Sequence, residues 1–185
     1  KNIDLFRELV SDIKESYSEI FITISDETSE KFIQEIKENG FQWKVIPKLG
    51  AAHARREVVS FGLTGQSDYF HYCDFDRLLT WCNNYLSELQ NVVKKIKNFD
   101  YLIIGRTDRA LLTHPIEWTE TEKITNKICS LELGIDVDIT AGSCAFSRNC
   151  AEYITLHSKA KMTDAEWPMI ARRIGNLEVS HMKVE

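Results

Sequence analysis

The chain has 185 residues, 43% of them hydrophobic, and a formal net charge of −5. This length suits one domain with enough core to fold alone, and the mixed-sign, slightly acidic charge argues against the basic face of a dedicated nucleic-acid binder. No apolar run approaches membrane-spanning length, and no signal peptide is expected. Five scattered cysteines (Cys73, Cys82, Cys129, Cys144, Cys150) contain no Cys-x-x-Cys pair, which predicts free thiols in a reducing compartment. The expected location is cytoplasmic, with contact at a membrane surface left open. The chain begins at Lys1 rather than Met, which also leaves open a further terminal segment carrying an anchor or a second domain.

Apolar periodicity alternates between helix and strand along the chain. Ile3, Phe6, Leu9, Val10 and Ile13 form a helical stripe. Residues 20–24 (Ile-Phe-Ile-Thr-Ile) read as a strand, and Phe32, Ile33 and Ile36 as a helix stopped by Gly40. Residues 43–46 form a second strand, ended by Pro47, and residues 54–61 a helix. The strand 69–73 follows, and then a long amphipathic helix marked by Leu86, Leu89, Val92, Val93 and Ile96. Residues 101–104 are a strand. Thr119-x-x-Glu122 is a capping-box candidate opening a helix that runs to Leu133, with Gly134 as its stop. Short strands are expected at 137–141, 144–147 and 177–184. The alternation predicts an α/β domain with a mainly parallel sheet, helices on both faces and a partly antiparallel C-terminal region.

The strand 69–73 runs into Asp74-Phe75-Asp76. In extended chain, residues two apart point the same way. Asp74 and Asp76 would then converge past a strand's carboxyl end, where open α/β sheets place ligands. Two hard oxygen donors there suit Mg²⁺ or Mn²⁺ on a diphosphate, most simply that of a sugar nucleotide. Upstream, Gly50-Ala51-Ala52-His53-Ala54-Arg55-Arg56 is a small-residue entry to a helix with two arginines, a setting for an anion. Neighbours on a helix point about 100° apart, so Arg55 and Arg56 should differ in role. Arg106, Asp108 and Arg109 follow the strand 101–104 and open at the same sheet edge. There Arg106 or Arg109 suits a phosphate or acidic acceptor and Asp108 a sugar hydroxyl. Neither a Walker motif nor Gly-x-Gly-x-x-Gly occurs. The histidines show no metal-ligand spacing, and His71 reads as a hydrogen-bonded core residue.

The order Ile22-Thr23-Ile24-Ser25, then Gly50-x-x-x-Ala54-Arg55, then 69–73 into Asp74-x-Asp76, resembles glycosyltransferases of the GT-A fold. Gly142-Ser143-Cys144-Ala145-Phe146-Ser147-Arg148 resembles the acceptor-side strand and turn of that family. The resemblance covers roughly residues 20–170. It departs at Ser25-Asp26-Glu27, where the family usually has a proline-containing ending, and at Phe75, which is larger than usual between the two acids. It implies one GT-A-like domain over 1–185, with residues 1–105 as the nucleotide-sugar half and 106–185 as the acceptor half. The implied donor contacts are Ser25, Arg55, Arg56, Asp74, Arg106 and Asp108, with Asp74 and Asp76 on Mn²⁺ or Mg²⁺. Asp164 and Glu166 fall where inverting members carry the general base. Thr163-x-x-Glu166 is also a capping box, which gives Glu166 a local task and favours Asp164 as base.

The implied function is transfer of a sugar from a nucleotide-diphospho-sugar to the hydroxyl of a glycan or small-molecule acceptor, without nucleic acid. A sugar-phosphate nucleotidyltransferase and a non-catalytic GT-A-like binding domain are the alternatives, since fold does not fix function.

Overall fold

A computed structural model describes residues 2–185, in which helices and strands alternate from the start. The elements are α1 (Asn2–Ser16), β1 (Phe21–Ser25), α2 (Glu30–Glu38), β2 (Gln42–Ile46), α3 (Ala51–Gly62), β3 (Tyr69–Cys73) and α4 (Phe75–Lys95). After a 3-10 turn at Ile96–Asn98 come β4 (Tyr101–Arg106), α5 (Asp108–Leu111) and α6 (Ile116–Leu133). β5 (Ser143–Ser147), α7 (Arg148–His157), α8 (Thr163–Arg173) and β6 (Val179–Val184) complete the chain.

β4 shows how the layers arise. Its six residues are all buried, and successive side chains point to opposite faces. Leu102 and Ile104 join Phe6, Ile13, Leu79, Trp81 and Leu89 in the core beneath α1, α2 and α4. Tyr101 and Ile103 join Phe146, Ile154, Trp167 and Ile170 beneath α7 and α8. The protein is therefore an α/β structure with helices on both faces of its sheets.

The sheets mix strand directions. β1 and β2 pair in parallel as a separate two-stranded sheet. The other four strands are ordered β3-β5-β4-β6, with β5 antiparallel to both neighbours and β6 parallel to β4. Parallel and antiparallel pairs are thus equally represented where a mainly parallel sheet was expected, and the antiparallel strand, β5, falls in the C-terminal region expected to be partly antiparallel. The reason is the path into β5. α6 stops at Gly134 in the left-handed conformation (φ 71°). The chain then crosses the carboxyl edge of β4, where a Cβ on Gly105 would stand 2.7 Å from the Asp138 carbonyl oxygen. A strand entered from the carboxyl edge must run antiparallel.

Three local expectations also change. Residues 137–141 form no strand, because Val137–Thr140 are tied to α6 through Asn126 and Ser130 instead. α6 starts after Pro115, and the Thr119 hydroxyl donates to the Ile116 carbonyl, so the Thr119–Glu122 capping box does not form. α4 starts at Phe75, eleven residues before the first apolar position that marked it in the sequence. Among the described residues, no helix is long and apolar enough to cross a membrane.

Candidate functional site

At the carboxyl end of β3, one guanidinium holds two carboxylates that are 90 residues apart in sequence. Arg55, in the second turn of α3, donates from Nη2 to Asp74 Oδ2 at 2.6 Å and from Nε to Asp74 Oδ1 at 3.3 Å. Its Nη1 donates to Thr163 Oγ1 at 3.1 Å and to Asp164 Oδ2 at the start of α8. The Tyr72 hydroxyl donates to Asp74 Oδ1, and the Arg55 guanidinium lies 5.7 Å from the Tyr72 ring centroid. Tyr72 and Asp74 are two apart at a strand end, so they share a face.

Gly142 backs Asp74. Its carbonyl accepts the Asp74 amide at 2.8 Å, its φ is +66°, and a Cβ there would lie 2.4 Å from Asp74 Oδ2. Gly142→Ala is expected to push the Asp74 carboxylate off Arg55 while the sheet survives. A crystal structure of the variant checks this, and an unmoved Arg55–Asp74 pair would refute it.

The electrostatics follow from burial and this sharing. Burial works against the Arg55 charge, but Tyr72, Asp164 and Asp74 outweigh it and raise the guanidinium above its ordinary pKa. Burial raises the Asp164 carboxyl, Arg55 partly offsets this, and the charge of Asp74 adds to the rise. Tyr72 is raised well above its ordinary value by burial and by Asp74. One cation faces two acids, an arrangement suited to accepting hydrogen bonds from hydroxyl groups.

The sequence-derived candidates divide. Arg55, Asp74 and Asp164 come together. Asp76 does not join them. The extended chain ends at Asp74, so Asp76 lies exposed in the first turn of α4, with its Oδ1 accepting the Arg77 amide at 2.8 Å. A first-turn acid is favoured by the helix dipole alone. Among the described residues, no group of three or more His, Cys, Asp or Glu side chains could hold a metal ion. As placed, with Asp74 engaged by Arg55 and Tyr72, the two acids do not fit the shared grip on Mn²⁺ or Mg²⁺ that their spacing suggested. Asp76→Asn is accordingly expected to leave ligand binding unchanged and Asp74→Asn to abolish it, as read by calorimetry. Equal losses would restore the pair.

Arg56 points away, as the helical offset from Arg55 requires, and its Nη1 donates to the Ala160 carbonyl at 2.9 Å. Glu166 holds the same loop, accepting the amides of Lys159 and Ala160 at 2.7 Å and the Ser158 hydroxyl. Burial alone would raise its carboxyl, but these bonds bring it below its usual range. The Thr163–Glu166 capping box is absent. Met162 is the N-cap, and Thr163 serves Arg55. Ser25 ends β1 on the same edge, where its hydroxyl accepts the Glu27 amide at 3.2 Å. Asp108 opens α5 and is exposed, with Lys183 Nζ 3.7 Å away. Arg109 is exposed and pairs with Glu185.

Arg106 is locked. Only 4% exposed, it donates to both carboxylate oxygens of Asp138 at 2.8 and 3.0 Å, to Glu122 at 2.7 Å and to Thr140 at 3.0 Å. That leaves it braced rather than turned to a ligand. His71 is half-buried and hydrogen-bonded as expected, with the Tyr17 hydroxyl 2.6 Å from Nδ1 and the Ser143 hydroxyl 3.0 Å from Nε2. Burial, with the nearby Arg77 charge, brings it down to about 3, so the ring is neutral. Cys73, Cys82, Cys129, Cys144 and Cys150 are all free thiols.

A cavity of about 600 Å³ lies between β1 and β3 and reaches Arg55 and Asp74. Its walls include Phe6, Ile13, Phe21, Ile22, Phe70 and Leu78, with Tyr17, Thr23 and His71 among the polar groups.

No family model, curated protein or solved structure matches this chain.

Proposed function

We propose that the protein is a glycosyltransferase that moves a sugar from a nucleotide-diphospho-sugar to an acceptor hydroxyl at the Arg55–Asp74–Asp164 site. One observation carries the reading. The acid at the end of β3 and the acid at the start of α8, each drawn from the sequence for a separate role, meet on one guanidinium at the sheet's carboxyl edge. That edge is where α/β sheets bind ligands, and the resemblance to GT-A enzymes rests on the same residues.

The side chains divide the work. Asp74, held by Tyr72 and backed by Gly142, orients Arg55 and accepts hydroxyls of the donor. Arg55 is the positive group next to the departing diphosphate. Asp164 takes the acceptor proton, and its raised pKa brings it nearer the range in which a carboxylate exchanges protons at neutral pH. An acceptor deprotonated in this way attacks the anomeric carbon from the face opposite the leaving group, so the reaction inverts. No step is assigned to a metal, because Asp74 and Asp76 do not assemble the expected ligand pair.

The test is a panel of UDP- and GDP-sugars, followed by binding heat and by release of the nucleoside diphosphate. At least one donor is expected to bind and to be turned over, with Arg55→Ala losing both activities. A panel with no binder at all overturns the reading.

A further inference from the structure

α6 is apolar on two opposite sides. Its inward side carries Thr119, Cys129 and Leu133, which are only 4–6% exposed. Glu122, Asn126 and Ser130 lie on the same side and hold Arg106, Asp138 and Val137. At 100° per residue, Ile124, Ile128 and Leu131 stand on the opposite side, spaced i, i+4, i+7. Together with Ile116, two turns before Ile124, they are 57–71% exposed. Thr121, also exposed, lies between them. A single exposed aliphatic residue needs no explanation, but a continuous stripe along an 18-residue helix marks an interaction surface.

The charges bordering the stripe select its partner. Glu117 and Glu120 lie toward the start of the helix, and Lys123 and Lys127 lie later. Two acids and two lysines cancel, which is unlike the cationic border of a helix that lies on a membrane. Their order is complementary to itself when reversed. With Ile124 and Leu131 at d and Thr121 and Ile128 at a, the g positions are Glu120 and Lys127. Two antiparallel copies bring g opposite g, so Glu120 of each meets Lys127 of the other. Two parallel copies would set Glu120 against Thr125, and Lys127 against a Glu132 already paired with Arg173. The ion pairs of α6 use Glu120, Glu122, Lys123 and Glu132, which leaves Lys127 without one among the described residues. The Glu120–Lys123 pair is exposed, and such pairs contribute little and exchange readily.

We infer that α6 is the seam of a homodimer, in which two copies of this chain lay their outer stripes antiparallel about a two-fold axis beside Ile124. Ile124 of each copy packs on Ile128 of the other at the centre. Leu131 of each covers Thr121 and Ile116 of the other at the two ends. The Glu120–Lys127 pairs flank this core twice, once on each side of the axis. The same patch serves both copies, so the assembly stops at two. A helix of 18 residues is about 27 Å long, so the contact falls below the roughly 800 Å² per partner of a standard interface, and its affinity belongs in the micromolar range. The seam is independent of the proposed function, since Arg55, Asp74 and Asp164 take no part in it.

The experiment is sedimentation velocity of the full chain from nanomolar to millimolar concentration. The chain is expected to pass from monomer to dimer in the micromolar range. Ile128→Asp puts a charge at the centre of the seam and should raise the dissociation constant by about tenfold or more. Ile128 is exposed in the single chain, so the variant should melt close to the unaltered protein when both are monomeric. Glu120→Lys and Lys127→Glu each set like charges face to face and should weaken the dimer of either variant alone. Mixing these two variants restores both ion pairs, so the mixture should form a heterodimer as tight as the original dimer. The charge variants also serve as the test should Ile128→Asp fail to fold. A chain that stays monomeric at millimolar concentration overturns the inference. A dimer that neither Ile128→Asp nor the charge variants weaken lies on another surface and overturns it too. Losses in the single variants that mixing does not repair would refute the antiparallel pairing.

Discussion

Asp138→Ala is expected to lower stability by about 3–5 kcal/mol, because removing one partner of a buried pair leaves the other charge uncompensated. At about 2–4 °C per kcal/mol for a chain of this size, melting should fall by roughly 6–20 °C. Asp138 accepts the Arg106 amide at 2.9 Å as well as its guanidinium, and Asn126 Nδ2 donates to it at 2.7 Å. The substitution thus frees a main-chain donor, an amide and a guanidinium together. The lock should also show in the pH dependence of the unaltered protein. Burial alone would raise the Asp138 carboxyl, but Arg106 outweighs it and holds the group at about 2. A depressed folded-state pKa stabilises above the unfolded value, near 3.9, and its contribution fades as pH falls from there to about 2. This contribution is on the order of 2 kcal/mol. The gap in stability between the two proteins should narrow from pH 6 to pH 2, and a constant gap would refute the assignment.

Arg106 also marks the limit of what the sequence could show. A charged residue at a strand's carboxyl end reads as a ligand contact, and nothing local contradicts that. Its partners Glu122 and Asp138 lie 16 and 32 residues away, and only the return of the chain over β4 brings them in. The place of β5 between β3 and β4 was hidden for the same reason, since periodicity reports a strand but not its neighbours. Asp76 stands apart from Asp74 for a different reason. The i, i+2 argument holds only while the chain stays extended, and Phe75 already begins a helix. The legible parts were those set by neighbours. The aromatic, apolar run at 69–73 placed β3, the small-residue run placed α3, and the 100° helical offset separated Arg55 from Arg56. Gly142 lay within a recognised motif, but its role behind Asp74 depends on a contact across 68 residues.

Asp164→Asn is expected to lower turnover by about 10²–10⁴-fold while leaving donor affinity nearly unchanged, because a general base contributes in the transition state. Asparagine keeps the size and can still accept a hydrogen bond from Arg55, so the fold should persist. The acid limb of the kcat/KM profile should then lie above the ordinary carboxylate range, since burial raises Asp164 and Arg55 offsets this only in part. The same shift has a stability consequence of opposite sign to that of Asp138. A carboxyl raised in the folded state favours folding at low pH, and that contribution is lost as pH rises through its folded pKa. Replacing Asp164 with Asn should therefore remove the fall in stability that begins near the unfolded value of about 3.9 and ends above the raised folded value, while it lowers turnover. Glu166→Gln is the control from the same helical turn. It weakens the grip on residues 158–160 and should cost roughly 1 kcal/mol of stability with little change in kcat. Full activity in Asp164→Asn would show that the acceptor proton leaves by another group. If Glu166→Gln instead lost turnover without a change in melting, the base would be Glu166, and Asp164 would only hold Arg55.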